Sequence, residues 1–126
     1  MAETPSLGRT IVLVAEDEAL LRLFTADYLT DAGFRVIEAP NAAEALRVLE
    51  TTPAVRVLFT DVEMPGGIDG LELAREVQRR WPGVVIIVTS GHVRPAREEL
   101  ASSAGFFQKP VREEAVVQMI RERVSE

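Results

Sequence analysis

The stretch VRVLFTDVEMP, residues 55–65, decides the fold. A run rich in Val, Leu and Phe leads into Asp61, and Met64-Pro65 follows at once. A short β-rich run bounded by proline reads as a strand. Its nearly unbroken apolar character is that of a strand covered on both faces, as in a parallel sheet. The same pattern recurs on either side: IVLVA at 11–15 runs into Glu16-Asp17-Glu18, and VVIIVT at 84–89 into Ser90-Gly91. Two weaker runs complete the set, so strands are predicted at 10–15, 35–38, 55–60, 84–89 and 106–108.

Segments of helical period lie between these strands. Leu21, Phe24, Tyr28, Leu29 and Ala32 form one stripe on a helix that Gly33 ends. Asn41 is the predicted N-cap of a second helix, with Glu44 three residues on and Ala42, Ala45, Leu46 and Leu49 as its buried edge. Leu71, Ala74, Val77 and Trp81 mark a third, stopped by Pro82-Gly83. Pro95 opens a short fourth that Ser102, Ser103, Ala104 and Gly105 soon end, and the last buries Val116, Met119, Ile120 and Val124. Alternating strands and helices wind a parallel sheet. The predicted fold is α/β: a single doubly wound, five-stranded parallel sheet flanked by five helices.

The chain has 126 residues, enough for one domain. It divides into a ragged segment at 1–8 and a domain at 9–126. Hydrophobic residues make up 47% and charged residues 27%, the balance of a globular protein, and no apolar run approaches the roughly 20 residues that cross a bilayer. No membrane partner is expected. Residues 1–10 hold one basic residue and no apolar stretch, so no secretory leader is read there and the expected location is cytoplasmic. The absence of cysteine excludes disulfides, thiolate nucleophiles and cysteine-based metal centres. A net charge of −6 argues against direct nucleic-acid binding, which needs clustered Lys and Arg.

Ligands of an open parallel sheet bind outside the carboxyl ends of its strands. Glu16-Asp17, Asp61, Thr89-Ser90 and Lys109-Pro110 all fall there. Converging carboxylates repel one another, and a hard divalent cation relieves that repulsion. An oxygen-only set suits Mg²⁺ or Mn²⁺ better than zinc. With the Thr89 hydroxyl and the Lys109 ammonium opposite Asp61, such a site can hold a tetrahedral dianion, most simply a phosphoryl group. Taken singly, each residue has a plainer reading: an acidic first helical turn, a turn aspartate, a strand-end hydroxyl, a solvated lysine. Their meeting at one sheet edge is what favours a site.

As an ordered set, VAEDE around Asp17, FTDVEMP around Asp61, IVTSG around Thr89 and FFQKP around Lys109 resemble the receiver domain of two-component response regulators, over essentially the whole chain. The resemblance implies that Asp61 takes a phosphoryl group from a histidine kinase or histidine phosphotransfer protein. It implies Mg²⁺ held by Asp17, Asp61 and the Glu63 backbone carbonyl, with Glu16 direct or through water. Lys109 pairs with Asp61 and then with the phosphoryl oxygens, Thr89 is the switch hydroxyl, and Phe106 is the aromatic that turns inward. The Lys109-Pro110 peptide is expected to be cis. The implied output surface is the fourth helix, fifth strand and fifth helix, also a possible homodimer face. Arg94, Arg97, Glu98, Glu99, Arg112, Glu113, Arg121 and Glu122 are its candidate contacts, although a solvated face is their plainer reading.

Two features depart from the family pattern. The loop Met64-Pro65-Gly66-Gly67-Ile68-Asp69-Gly70 is one residue longer than usual, and Phe106 stands where tyrosine is frequent. On this reading the chain is a phosphorylation-controlled regulator rather than an enzyme with an external substrate. A Mg²⁺-dependent aspartyl-phosphate phosphatase is the first rival, opposed by Glu63 where such enzymes carry a second aspartate. A flavodoxin-like carrier is opposed by the acidic loop at 16–18. A pseudo-receiver that works without phosphorylation is opposed by the complete Asp17, Asp61, Thr89 and Lys109 set.

Overall fold

The computed structural model describes residues 9–91, 95–96 and 99–125. The element order is β1 (Ile11–Ala15), α1 (Ala19–Asp31), β2 (Arg35–Ala39), α2 (Ala42–Thr51), β3 (Val55–Asp61), α3 (Gly70–Arg80), β4 (Val85–Ser90), β5 (Gly105–Gln108) and α4 (Glu113–Val124). The five strands form one parallel sheet in the order β2-β1-β3-β4-β5. This is the α/β fold expected, with every strand boundary within one residue of its predicted place.

Alternate residues along each strand feed opposite faces, and each face has its own core. Leu13, Leu58, Ile86 and Val88 pack with Ala45 and Leu49 of α2 and Leu73, Ala74 and Val77 of α3. Val12, Val14, Val57, Phe59 and Ile87 pack with Tyr28 and Leu29 of α1 and Val116 and Ile120 of α4. Each fully buried Val, Leu or Ile is worth about 1.5 to 3 kcal/mol, so the central strands contribute heavily to stability.

Helix ends follow the residues that can close them. Asn41 accepts the Glu44 N–H at 2.8 Å, as expected, and Asp69 caps α3 by accepting the Glu72 N–H at 2.9 Å. Gly33, at φ +104°, ends α1 while the Phe34 N–H returns to the Leu29 carbonyl at 3.1 Å. Gly66 and Gly67, both at positive φ, turn the loop after β3. The Lys109-Pro110 peptide is cis.

Two expectations need correction. Four helices, not five, are present among the described residues. Of the short helix expected from Pro95, Arg97-Glu98 lie outside the described residues, as do His92 to Arg94 just before it and the segment at 1–8. The α1 stripe is also only half buried. Tyr28 and Leu29 face the core, whereas Leu21 and Phe24 are 38% and 57% exposed. The first turns of α1 start beyond the end of β1, where the sheet has no more surface to cover them.

Candidate functional site

Parallel register sets the site. Asp61 is the last residue of β3 and pairs with Thr89 on β4, which in turn pairs with Phe107 on β5. The Val62 N–H donates to the Thr89 carbonyl at 2.8 Å and the Lys109 N–H to the Ser90 carbonyl at 2.8 Å, so the ladder continues past the strands on both sides. Glu16 and Asp17 leave β1 at the same edge, where the Glu16 N–H donates to the Ala39 carbonyl at 3.1 Å. A Cβ on Gly70 would overlap the Asp61 carbonyl oxygen, so only glycine lets α3 start against the Asp61 backbone.

The side chains converge as the sequence suggested. Carboxylate oxygens of Glu16, Asp17 and Asp61 lie within 4.8 Å of one another. Lys109 Nζ stands 3.3 Å from Asp61 Oδ1 and 3.6 Å from Glu16 Oε1. Asp61, Glu16 and Thr89 are buried, while Asp17 is open to solvent. Phe106 is partly buried, against the core shared by α2 and α3. Glu63 sits at the mouth, with Ser90 Oγ donating to its Oε2 at 2.6 Å.

Electrostatics follow from this crowding. Burial pushes the Asp61 carboxyl up to about 6; the Glu16 and Glu63 charges add to the rise and Lys109 opposes it. Burial raises Glu16 as well, against the pull of the Glu18 N–H and Lys109. Burial alone would lower the Lys109 ammonium, but Asp61 and Glu16 outweigh it and hold the group above its ordinary value. Lys109 therefore stays charged at neutral pH.

A cation fits here on the structure's own evidence. Asp61 Oδ1 is buried, and among the described residues the Lys109 ammonium at 3.3 Å pairs with it without a well-aligned hydrogen bond, which leaves an ionised oxygen with lone-pair capacity to spare. The carboxylates of Glu16 and Asp17 that cluster with it are hard oxygen donors, the type that Mg²⁺ takes.

Comparison with known proteins decides the family. Residues 12–121 match the response regulator receiver domain. The chain belongs to the response regulator receiver domain family. The receiver is 31% identical over 112 residues to the sensor protein TorS of Escherichia coli, covering 86% of this chain and 12% of that protein. It is 34% identical over 113 residues to the transcriptional regulatory protein GlrR of the same organism, covering 87% and 25%. This chain thus spans an eighth to a quarter of those two relatives' length. A receiver protein of Sinorhizobium medicae superposes with a TM-score of 0.82 at 29% identity, covering 94% of this chain and 97% of that one. NtrX of Brucella abortus superposes with a TM-score of 0.78 at 27% identity, covering 93% and 27%. The family is one of signalling regulators. Among the described residues no helix is long and apolar enough to cross a membrane.

Several features of the receiver's edge were missed in the sequence. Arg22 donates to the Glu16 carbonyl at 2.8 Å and pairs with Glu38 at 3.2 Å, bracing the acidic loop against β2. Leu21, Phe24, Tyr28, Phe59, Pro110 and Val111 line an apolar groove of about 300 Å³ that reaches Glu16, Thr89 and Lys109. The Leu20-Leu21 pair followed by Leu23-Phe24 was the available signal, since four large apolar residues in five cannot all face inward on one helix.

Proposed function

We propose that Asp61 accepts a phosphoryl group from a phosphohistidine of a sensor kinase or phosphotransfer protein and that the resulting charge switches the surface around β5 and α4. The observation that carries this reading is the buried Asp61 carboxylate, 3.3 Å from Lys109 and clustered with Glu16 and Asp17. A carboxylate oxygen of Asp61 attacks phosphorus, the phosphorus–nitrogen bond breaks, and the imidazole leaves with the bonding pair. Lys109 moves its contact from the carboxylate to the phosphoryl oxygens. Thr89, paired in register with Asp61, donates its hydroxyl to the new group. When bound by Asp17, Asp61 and the Glu63 carbonyl, with Glu16 alongside, Mg²⁺ would neutralise charge on the carboxylates and on the group transferred.

Phosphorylation replaces one negative charge with about −1.5 to −2, by analogy with phosphate esters. Much of the Lys109 contact exists beforehand, so the differential contribution is about 1 to 3 kcal/mol, an ordinary allosteric coupling. That shifts a population without driving it between extremes. The exposed Leu20, Leu23 and Phe24 beside the acceptor edge give the donor protein an apolar surface to dock on. Relatives that include a sensor protein and transcriptional regulators support a kinase as donor and a further protein as target.

Intact-mass spectrometry after incubation with Mg²⁺ and acetyl phosphate, or a Mg²⁺-dependent beryllofluoride titration, tests the reading, with Asp61→Asn as control. An adduct that needs both Mg²⁺ and Asp61 is expected. With neither adduct nor beryllofluoride binding, the receiver would be a phosphorylation-independent interaction module.

A further inference from the structure

Arg22 holds the acidic loop on both sides of Asp17. Its backbone N–H donates to the Glu18 carbonyl at 2.9 Å as α1 begins, and its guanidinium Nη1 donates to the Glu16 carbonyl at 2.8 Å. The two carbonyls that flank Asp17 are therefore tied to one residue of α1. The guanidinium is aimed in turn by Glu38 on β2, whose Oε1 accepts from Nε at 3.2 Å. Only 20% of the Arg22 side chain is exposed, so this geometry is set by packing as well as by charge. α1 carries no side-chain cap, so no bond of that kind fixes its start. Holding the loop matters because its charges oppose one another. Asp17 is the exposed member of the cluster with Glu16 and Asp61, the one that can move outward and relieve the repulsion.

Resting on the reading of this cluster as a cation site beside the acceptor, we propose that Arg22 is a positioning residue that keeps Asp17 in the cluster before any cation arrives, with Glu38 aligning the guanidinium and offsetting its charge. Mg²⁺ binding then does not have to gather the carboxylates first, which is the advantage of a preorganised site. The charge of Arg22 and its hydrogen bonds act in opposite directions here. A bare positive charge nearby repels Mg²⁺, so a purely electrostatic role predicts tighter binding once Arg22 is removed. A positioning role predicts weaker binding, and the sign of the change separates the two.

The test titrates Mg²⁺ into the metal-free protein with no phosphoryl donor present, read by backbone amide NMR shifts. It compares the wild type, Arg22→Ala, Arg22→Lys, Glu38→Gln and the Arg22→Ala/Glu38→Gln double variant, with folding checked by thermal melts. Arg22→Ala is expected to weaken Mg²⁺ binding about tenfold, the low end for residues that orient metal ligands. Arg22→Lys keeps the charge but reaches one partner at a time, so it should recover part of the loss. Glu38→Gln should weaken binding about twofold to threefold, and by a smaller factor once Arg22 is gone, because it acts through the guanidinium. With acetyl phosphate as donor, the Mg²⁺ concentration for half-maximal uptake should rise in step. The rate at saturating Mg²⁺ should stay within about twofold of the wild type, since a bound cation gathers the carboxylates itself. Unchanged or tighter Mg²⁺ binding in Arg22→Ala overturns the proposal, as does a saturated rate that falls while the half-maximal Mg²⁺ concentration stays put. If Arg22→Ala does not fold, wild-type affinity in both Arg22→Lys and Glu38→Gln overturns it. So does a Glu38→Gln effect of the same factor in both backgrounds. A wild type that binds Mg²⁺ yet takes up no phosphoryl group removes the acceptor assignment and leaves the affinity comparison standing, whereas one that binds no Mg²⁺ removes the proposal.

Discussion

Helices α1 and α3 both leave the sheet at the acceptor edge, yet they begin in opposite ways. α3 is capped by Asp69, starts on a glycine pressed against the Asp61 carbonyl, and buries Leu73, Ala74 and Val77. α1 has no side-chain cap, starts beside the solvent-open Asp17, and turns Leu20, Leu23 and Phe24 outward. One helix fixes the Asp61 backbone, and the other leaves its charges and an apolar surface available to something outside the chain. The difference separates residues that build the site from residues that present it.

The largest effect should come from breaking the α3 side. In Gly70→Ala the new methyl would overlap the Asp61 carbonyl oxygen and approach Val62 Cα to 2.9 Å, both backbone atoms that cannot swing aside. A loss of about 3 kcal/mol is expected in urea melts, with phosphoryl uptake abolished or strongly reduced. Gly83→Ala is the control, because a Cβ there meets nothing within 4 Å. A Gly70→Ala protein as stable as the Gly83→Ala protein would show that α3 does not fix the acceptor.

Asp61 itself should show the conflict between stability and function. Its carboxyl is raised from 3.8 to about 6, so between those pH values the native state keeps a proton that the unfolded chain has lost. Stability present below about pH 4 is therefore lost as pH rises through 6. Asp61→Asn removes that penalty, and a stabilisation of about 2 kcal/mol at pH 7 without Mg²⁺ is expected. The gain should fade as the pH of the melt is lowered towards 4. A variant that is less stable than the wild type at pH 7 would mean that the Lys109 pairing outweighs burial.

The caps provide a smaller, paired test. Asp69→Ala at the start of α3 should cost about 1 kcal/mol, since it leaves the Glu72 N–H without its acceptor. Glu18→Ala at the start of α1 should change stability by less than about 0.5 kcal/mol, because Glu18 makes no side-chain cap bond. Equal costs at the two positions would erase the contrast between the helices.

The same contrast explains what the sequence could and could not disclose. Strand identity and order of use were readable because buried parallel strands write long apolar runs, and the acidic, hydroxyl and lysine positions were readable because each ends such a run. The cap at Asn41 was readable from local chemistry alone. The outward turn of Leu21 and Phe24 was not, since periodicity gives a helix face but not where the sheet beneath it ends. Nor was the bond from Ser90 to Glu63, which joins residues 27 apart through a register that only folding sets. The closeness of Gly70 to Asp61 is of the same kind, fixed by the course of the loop between them.

The smallest stability effect should accompany a clear kinetic one. Leu20 and Leu23 are 79% and 59% exposed, so replacing both by glutamine keeps helix propensity and uncovers no core. The double variant should melt within about 0.5 kcal/mol of the wild type. It should take phosphoryl from acetyl phosphate at the wild-type rate, because neither residue lines the groove beside Thr89 and Lys109. Transfer from a phosphohistidine protein that docks on α1 should fall about tenfold, which corresponds to 1.4 kcal/mol of lost contact. Equal rates with the protein donor would mean that the apolar face of α1 is not where the donor rests; slower reaction with both donors would mean that the substitutions reach the acceptor edge itself.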